Sequence, residues 1–162
     1  MEHEITVRRA LPGDAAWVVT MRIRGTRERR NAEQEVEAFR VVAEERFARG
    51  IASGELRIWL AFAGERPIGT ATLMLLPNLP RLGAFAGGAD ARVRNVYVDP
   101  DYRRRGIAAH MMREIIAEAK SAGVDRLTLG TSVMGRALYE SLGFVPKDDE
   151  LIYEPEGNVA PP

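Results

Sequence analysis

The sequence predicts an α+β fold, a mixed α/β arrangement of short strands and amphipathic helices. Three observations predict it. Arg57-Ile58-Trp59-Leu60-Ala61-Phe62-Ala63 is apolar on both faces, as a central strand is, and Gly64-Glu65 offers a two-residue hairpin turn with glycine first. Val93, Val96, Tyr97 and Val98 are β-formers, closed off by Pro100, which cannot continue a central ladder. Ile107-Ala108, Met111-Met112, Ile115-Ile116 and Ala119 then recur at the spacing of one helical face, with Arg113, Glu114, Glu118 and Lys120 on the other.

The remaining elements are taken in chain order. Ile5-Thr6-Val7-Arg8-Arg9 is a short alternating strand. Leu11-Pro12-Gly13-Asp14 marks a turn, with Asp14 as the N-cap of a helix reaching about residue 23. Residues 22–30 are basic and poorly patterned, and a charged helix at 32–49 ends near Gly50. The hairpin partner of the first central strand lies at 67–76. Prolines, glycines and small residues at 77–90 read as a loop. A strand at 92–98, the helix ended by Gly123, a strand at 125–130, a short helix at 135–142 and a closing hairpin complete the order. Residues 1–154 are expected to form one domain, with 155–162 a frayed tail.

Composition sets bounds. A chain of 162 residues, 46% hydrophobic and 28% charged, suits one soluble globular domain with a sizeable core. Its 23 basic residues balance 23 acidic ones, so no global field favours nucleic acid or an anionic membrane. The absence of cysteine excludes disulfides, thiolate catalysis and cysteine metal sites, and the expected compartment is cytoplasmic. Met1-Glu2-His3-Glu4 lacks a signal pattern, and no apolar run approaches the ~20 residues that span a bilayer. His3 is terminal and His110 belongs on a helix surface, so no metal site is expected.

The most informative stretch joins the strand to the helix: Val96-Tyr97-Val98-Asp99-Pro100-Asp101-Tyr102-Arg103-Arg104-Arg105-Gly106-Ile107-Ala108-Ala109. A helix N-terminus presents N–H groups without intrahelical partners and the positive end of the helix dipole. A glycine there lets backbone approach an anion closely, so the pattern reads as a diphosphate site built mainly from main chain. Read alone, Arg103, Arg104 and Arg105 are a solvated helix start. Guanidinium groups are unfavourable beside the positive dipole end, however, which favours an anionic ligand.

Arg103-Arg104-Arg105-Gly106-Ile107-Ala108 resembles the acetyl-CoA loop of the GCN5-related N-acetyltransferases (GNAT), Arg/Gln-x-x-Gly-x-Gly/Ala. Alone it is a weak signal, since roughly 0.2 chance matches are expected in a chain of this size. A second ordered element strengthens it: Gly135-Arg136-Ala137-Leu138-Tyr139-Glu140-Ser141-Leu142-Gly143-Phe144 resembles the family's Leu-Tyr-Glu-x-x-Gly-Phe. The resemblance implies a GNAT-like fold, a mostly antiparallel sheet of six to seven strands, splayed between the phosphate-loop strand and the next and flanked by about four helices. It also implies an acetyl-CoA-dependent N-acetyltransferase acting on an unidentified amine acceptor by direct attack, with neither nucleic acid nor membrane as partner. A homodimer is one admissible assembly.

Site residues carry over by position. The resemblance implies that main-chain N–H groups of Arg104, Arg105, Gly106, Ile107, Ala108 and Ala109 share the pyrophosphate, with the Arg103–Arg105 side chains beside them. Main-chain groups of Val96, Tyr97 and Val98 would hold the pantetheine arm and polarise the thioester. Ser132, Gly135 and Arg136 fall on the cofactor side. Tyr139 would protonate the departing thiolate, a role suited to a phenol of pKa ~10; the alternative is a packed tyrosine satisfied by a backbone carbonyl.

Two positions depart from the family pattern. Ser132 stands where many members carry asparagine, and Arg92 stands where many place a glutamate base. A guanidinium cannot accept a proton, which leaves a water chain, Glu28, Glu33, Asp90 or an unmarked residue as base. It also keeps open an alternative reading, a catalytically weak acyl-CoA-binding sensor or regulatory module. On the acceptor side, residues 21–49 and 77–90, Arg22, Arg24, Arg27, Arg29 and Arg30 offer themselves to a carboxylate or phosphate, or form a solvated face balanced by Glu33, Glu35 and Glu37.

Overall fold

Local patterning turns into one sheet. In the computed structural model, which describes residues 4–31, 33–77 and 89–147, the strands are β1 (Ile5–Arg9), β2 (Leu56–Ala63), β3 (Arg66–Leu76), β4 (Ala89–Val98) and β5 (Val124–Leu129). The helices are α1 (Ala15–Arg27), α2 (Val36–Ser53), α3 (Ile107–Ser121) and α4 (Val133–Ser141). The chain divides after Thr131 into two compact units. The first carries β1 to β5 and α1 to α3, and the second carries α4.

The sheet runs in sequence order, β1-β2-β3-β4-β5, antiparallel through β4 and parallel between β4 and β5. The α+β expectation holds, with five strands among the described residues instead of six to seven; the expected closing hairpin lies outside those residues. β4 begins at Ala89, three residues earlier than its composition suggests, because Asp90 and Ala91 find partners on both sides, in Leu76 and Leu75 of β3 and in Arg126 and Leu127 of β5. Such pairing outweighs weak local propensity.

Helix ends are set by backbone geometry. Gly54, with φ 79°, is the left-handed cap of α2, so the helix runs past the expected stop at Gly50. Gly50 serves packing: a Cβ there would lie 2.5 Å from Leu56 Cδ1. Gly123, φ 70°, follows α3 as expected.

The two faces of the sheet are covered differently. Val18 of α1 and Phe47 and Ile51 of α2 pack with Leu56, Ile58, Leu60 and Phe62 of β2. On the opposite face α3 buries Ile107, Met111, Met112, Ile115 and Ala119, each large side chain contributing about 1.5–3 kcal/mol over exposure. Met111 reaches the backbone of β3 because Gly69 has no side chain; a Cβ there would meet Tyr97 O at 3.0 Å and Met111 Cε at 3.4 Å.

The sheet is irregular in two places, both on β4. This strand pairs with β5 only through Ala89–Val93, where β5 ends at Leu129, so from Arg94 to Val98 it has no β5 partner. Its register with β3 also slips between Thr70 and Thr72.

Candidate functional site

The slip is a bulge at Asn95, which holds φ 53°. Asparagine tolerates this left-handed conformation better than most residues. Strict alternation would put Tyr97 on the face opposite Arg94. One inserted residue instead sets Arg94 opposite Thr72 and Tyr97 opposite Thr70, so both share the face covered by α1. There the Tyr97 ring lies against Gly25 of α1, where a Cβ would come within 3.0 Å of Cδ2. Val98 is buried and Val96 half-buried.

The re-aimed tyrosine anchors the loop after β4. Its hydroxyl donates to Glu28 Oε1 at 3.0 Å. Burial and the Glu28 carboxylate push the phenol well above its usual range, so it stays a donor. The same carboxylate takes Arg103 Nη2 at 2.8 and 2.6 Å, while Arg103 Nε donates to the Val98 carbonyl at 2.9 Å. Arg103 is thus a strut tying loop, strand and the end of α1 together, and its side chain is engaged inside the protein. Below it Asp99, 5% exposed, accepts from Arg24 at 2.8 Å and Arg66 at 3.3 Å.

Beyond Arg103 the chain becomes main-chain machinery. Arg104 has φ 61° and Gly106 φ 77°. These left-handed residues lead into α3, whose N-cap is Gly106 and whose N-terminus receives no side-chain cap. The first helical bond runs from the His110 N–H to the Gly106 carbonyl at 2.9 Å. The N–H groups of Ile107, Ala108 and Ala109 therefore have no intrahelical acceptor, and they carry the positive dipole end. A Cβ on Gly106 would meet nothing within 4 Å, so the space beside it is open. Arg104 makes no ion pair among the described residues, and Arg105 lies over the Tyr102 ring at 5.5 Å, near the Asp101 carbonyl. His110 is exposed, 4.0 Å from Glu114.

The arginines at the end of α1 separate into two groups. Arg24 is held by Asp99, Arg27 by Glu33 and Arg30 by Glu35, so these three, grouped by sequence with an anion site, are internally neutralised. Arg22 and Arg29 have no carboxylate partner among the described residues. Arg94, unmarked by any motif, joins them. Burial, with Arg29 and Arg94 nearby, pulls the Arg22 guanidinium below its ordinary range. Arg22 also lines a cleft of about 110 Å³ with Ile23, Thr26, Val36 and Phe39 and with the paired Arg27, Arg30 and Glu35. Among the candidate bases, Glu28 and Glu33 are engaged by arginine. Arg92, the substitute for the common glutamate, sits in mid-sheet between Met74 and Thr128.

In the second unit Ser132 is the N-cap of α4, accepting from the Gly135 N–H at 3.4 Å. Arg136 pairs with Glu140 at 2.7 Å. Tyr139 stacks edge-on with Phe144, centroids 6.1 Å apart, and burial raises its pKa. Among the described residues no group of three or more His, Cys, Asp or Glu could hold a metal ion, and no helix is long and apolar enough to cross a membrane.

A strand that outruns its parallel partner, a bulge and a helix N-terminus without a side-chain cap belong to an α+β protein whose main chain offers unpaired N–H groups. Comparison with known proteins gives the class its name. Residues 24–144 match the model of the acetyltransferase (GNAT) family, and the chain belongs to that family. It is 23% identical over 145 residues to YafP, an uncharacterized N-acetyltransferase of Escherichia coli strain K12, covering 88% of this chain and 82% of that one. It is 32% identical over 79 residues to glucosamine 6-phosphate N-acetyltransferase of Trypanosoma brucei brucei, about half of each chain (49% and 51%). A predicted acetyltransferase of Clostridium acetobutylicum, solved with acetyl-CoA, shares the fold with TM-score 0.81 at 24% identity, over 93% of this chain and 96% of that one.

Proposed function

We propose that this acetyltransferase moves an acetyl group from acetyl-CoA to an amine by direct attack. The observation that carries the reading is the bare N-terminus of α3 behind two left-handed residues, Arg104 and Gly106. N–H groups of Arg104 to Ala109 would share the diphosphate, as backbone at a helix start does without side-chain charge. The open edge of β4 at Val96, Tyr97 and Val98 would run alongside the pantetheine arm. A strand N–H there would stabilise the oxyanion as the amine nitrogen adds to the thioester carbonyl. Collapse breaks the C–S bond, the thiolate takes its proton from Tyr139, and the proton shed by the new amide nitrogen passes through solvent to restore the phenol. That role rests on the residue pattern around Tyr139.

The attacking amine must first lose a proton. Glu28 and Glu33 are occupied by Arg103 and Arg27. The positive groups of Arg22, Arg29 and Arg94 disfavour a neighbouring ammonium and lower its pKa, which reduces the demand on a base. Thiol release from acetyl-CoA, measured across a panel of primary amines with mass analysis of the products, tests the reading. Amine-dependent CoA release with N-acetylated product is expected; CoA binding with no acetylated amine would favour the sensor.

A further inference from the structure

We infer that the amine acceptor carries an oxyanion, a carboxylate or a phosphate, bound by Arg22 of α1, Arg29 beyond its C-terminus and Arg94 of β4. The inference rests on the acetyltransferase reading and names the class of its acceptor.

The argument starts from which arginines are already satisfied. Five lie between residues 22 and 30, and the protein neutralises three of them, Arg24, Arg27 and Arg30, with Asp99, Glu33 and Glu35. A face of merely solvated charge has no reason to sort its members. Those left without a carboxylate among the described residues are Arg22, within α1, and Arg29, in the turn just past its end and near enough for its charge to act on Arg22. Arg94 meets them from the sheet because β4 places it opposite Thr72, on the face that α1 covers. Burial first, and then the neighbouring charges of Arg29 and Arg94, pull the half-buried Arg22 guanidinium below its ordinary range. An anion bound there would offset this repulsion and the burial of Arg22.

Chemistry and place agree. Guanidinium forks match carboxylate and phosphate oxygens bidentately. Arg94 is the first residue of β4 past its last β5 partner, Val93, so the cluster adjoins the strand edge assigned to the thioester. The buried Thr72 hydroxyl across from Arg94 has no hydrogen-bond partner, a second polar group left unused on this face. The cleft beside Arg22 is lined by Ile23, Val36 and Phe39 together with Thr26 and the paired Arg27, Arg30 and Glu35, so the acceptor's uncharged part would meet its apolar wall. The cluster also unites binding with chemistry: an acceptor bearing one or two negative charges leaves residual positive charge to hold its amine neutral.

The test uses matched amines that differ only in the anion: O-phosphoethanolamine against ethanolamine, 5-aminovalerate against 5-aminovaleramide, and a phosphorylated amino sugar against the free sugar. Acetyl transfer to each is measured, and binding of each to the CoA-saturated protein is measured by calorimetry, so that CoA phosphates do not compete. At least a tenfold preference for the anionic member of one pair is expected, collapsing toward one in Arg22→Gln and Arg94→Gln. Turnover of both members at equal kcat/KM, or a preference that survives both substitutions, overturns the anion site while leaving the transferase intact. Anion-selective binding with no transfer to any amine keeps the site and overturns the transferase. Binding that shows no preference in any pair overturns the inference whether or not transfer occurs.

Discussion

The start of α3 and the end of α1 are both rich in arginine and are built on opposite plans. At α3 the atoms proposed to bind are main-chain N–H groups. The side chains beside them are dispensable to that purpose: Arg103 faces inward to Glu28 and Val98, and Arg105 lies on Tyr102. At the end of α1 the atoms inferred to bind are guanidinium groups, and the backbone only spaces them. A backbone site is fixed by φ and ψ, so it is sensitive to residue shape and indifferent to charge. A side-chain site is sensitive to charge and can be retuned residue by residue. One cofactor and many acceptors in one family call for that division.

The contrast predicts how each region fails. The largest effect belongs to neither: Tyr139→Phe keeps the ring packed on Phe144 and removes the proton donor, so single-turnover acetyl transfer should fall ~10²–10⁴-fold. Unchanged rates would return Tyr139 to a packing role. Between the two regions lies Asp99, buried beneath Arg24 and Arg66. Asp99→Asn should cost about 2 kcal/mol in chemical denaturation, because it strips the counter-charge from both arginines; a loss below about 0.5 kcal/mol would show that solvent already satisfies them. The smallest effect should be at Arg27, whose pair with Glu33 is exposed. Arg27→Glu should change stability by no more than about 1 kcal/mol and leave acceptor KM within about twofold. A tenfold rise would mean the paired arginines bind acceptor as well.

The same contrast explains what the sequence disclosed. The loop was legible because a backbone site needs a particular order of residue types, an ended strand, a glycine and an amphipathic helix, and that order survives in one dimension. The bulge was not. Asn95 is an ordinary polar residue by composition, and only the β3 register shows that it turns Tyr97 toward Glu28. The inferred anion cluster was half legible. Residues 22–30 announced positive charge, but which arginines are neutralised depends on Asp99, 75 positions away from Arg24, and Arg94 carries no local signal at all. Gly50 misled for a related reason: it reads as a helix stop but is required by the contact with Leu56.

The central claim is that bare backbone at the start of α3 holds the diphosphate of acetyl-CoA, and calorimetry with a truncated donor tests it most directly. Acetyl-pantetheine keeps the thioester and the arm that runs along β4 but lacks the diphosphate. Acetyl-CoA should bind the wild-type protein at least 100-fold more tightly, a gap of about 2.7 kcal/mol at 1.36 kcal/mol per tenfold. Gly106→Val forces a β-branched residue to φ 77° and fills the open space beside it. It should weaken acetyl-CoA binding at least tenfold while leaving acetyl-pantetheine binding unchanged. Equal affinities for the two donors, or a folded Gly106→Val protein that binds acetyl-CoA as well as wild type, would contradict the account.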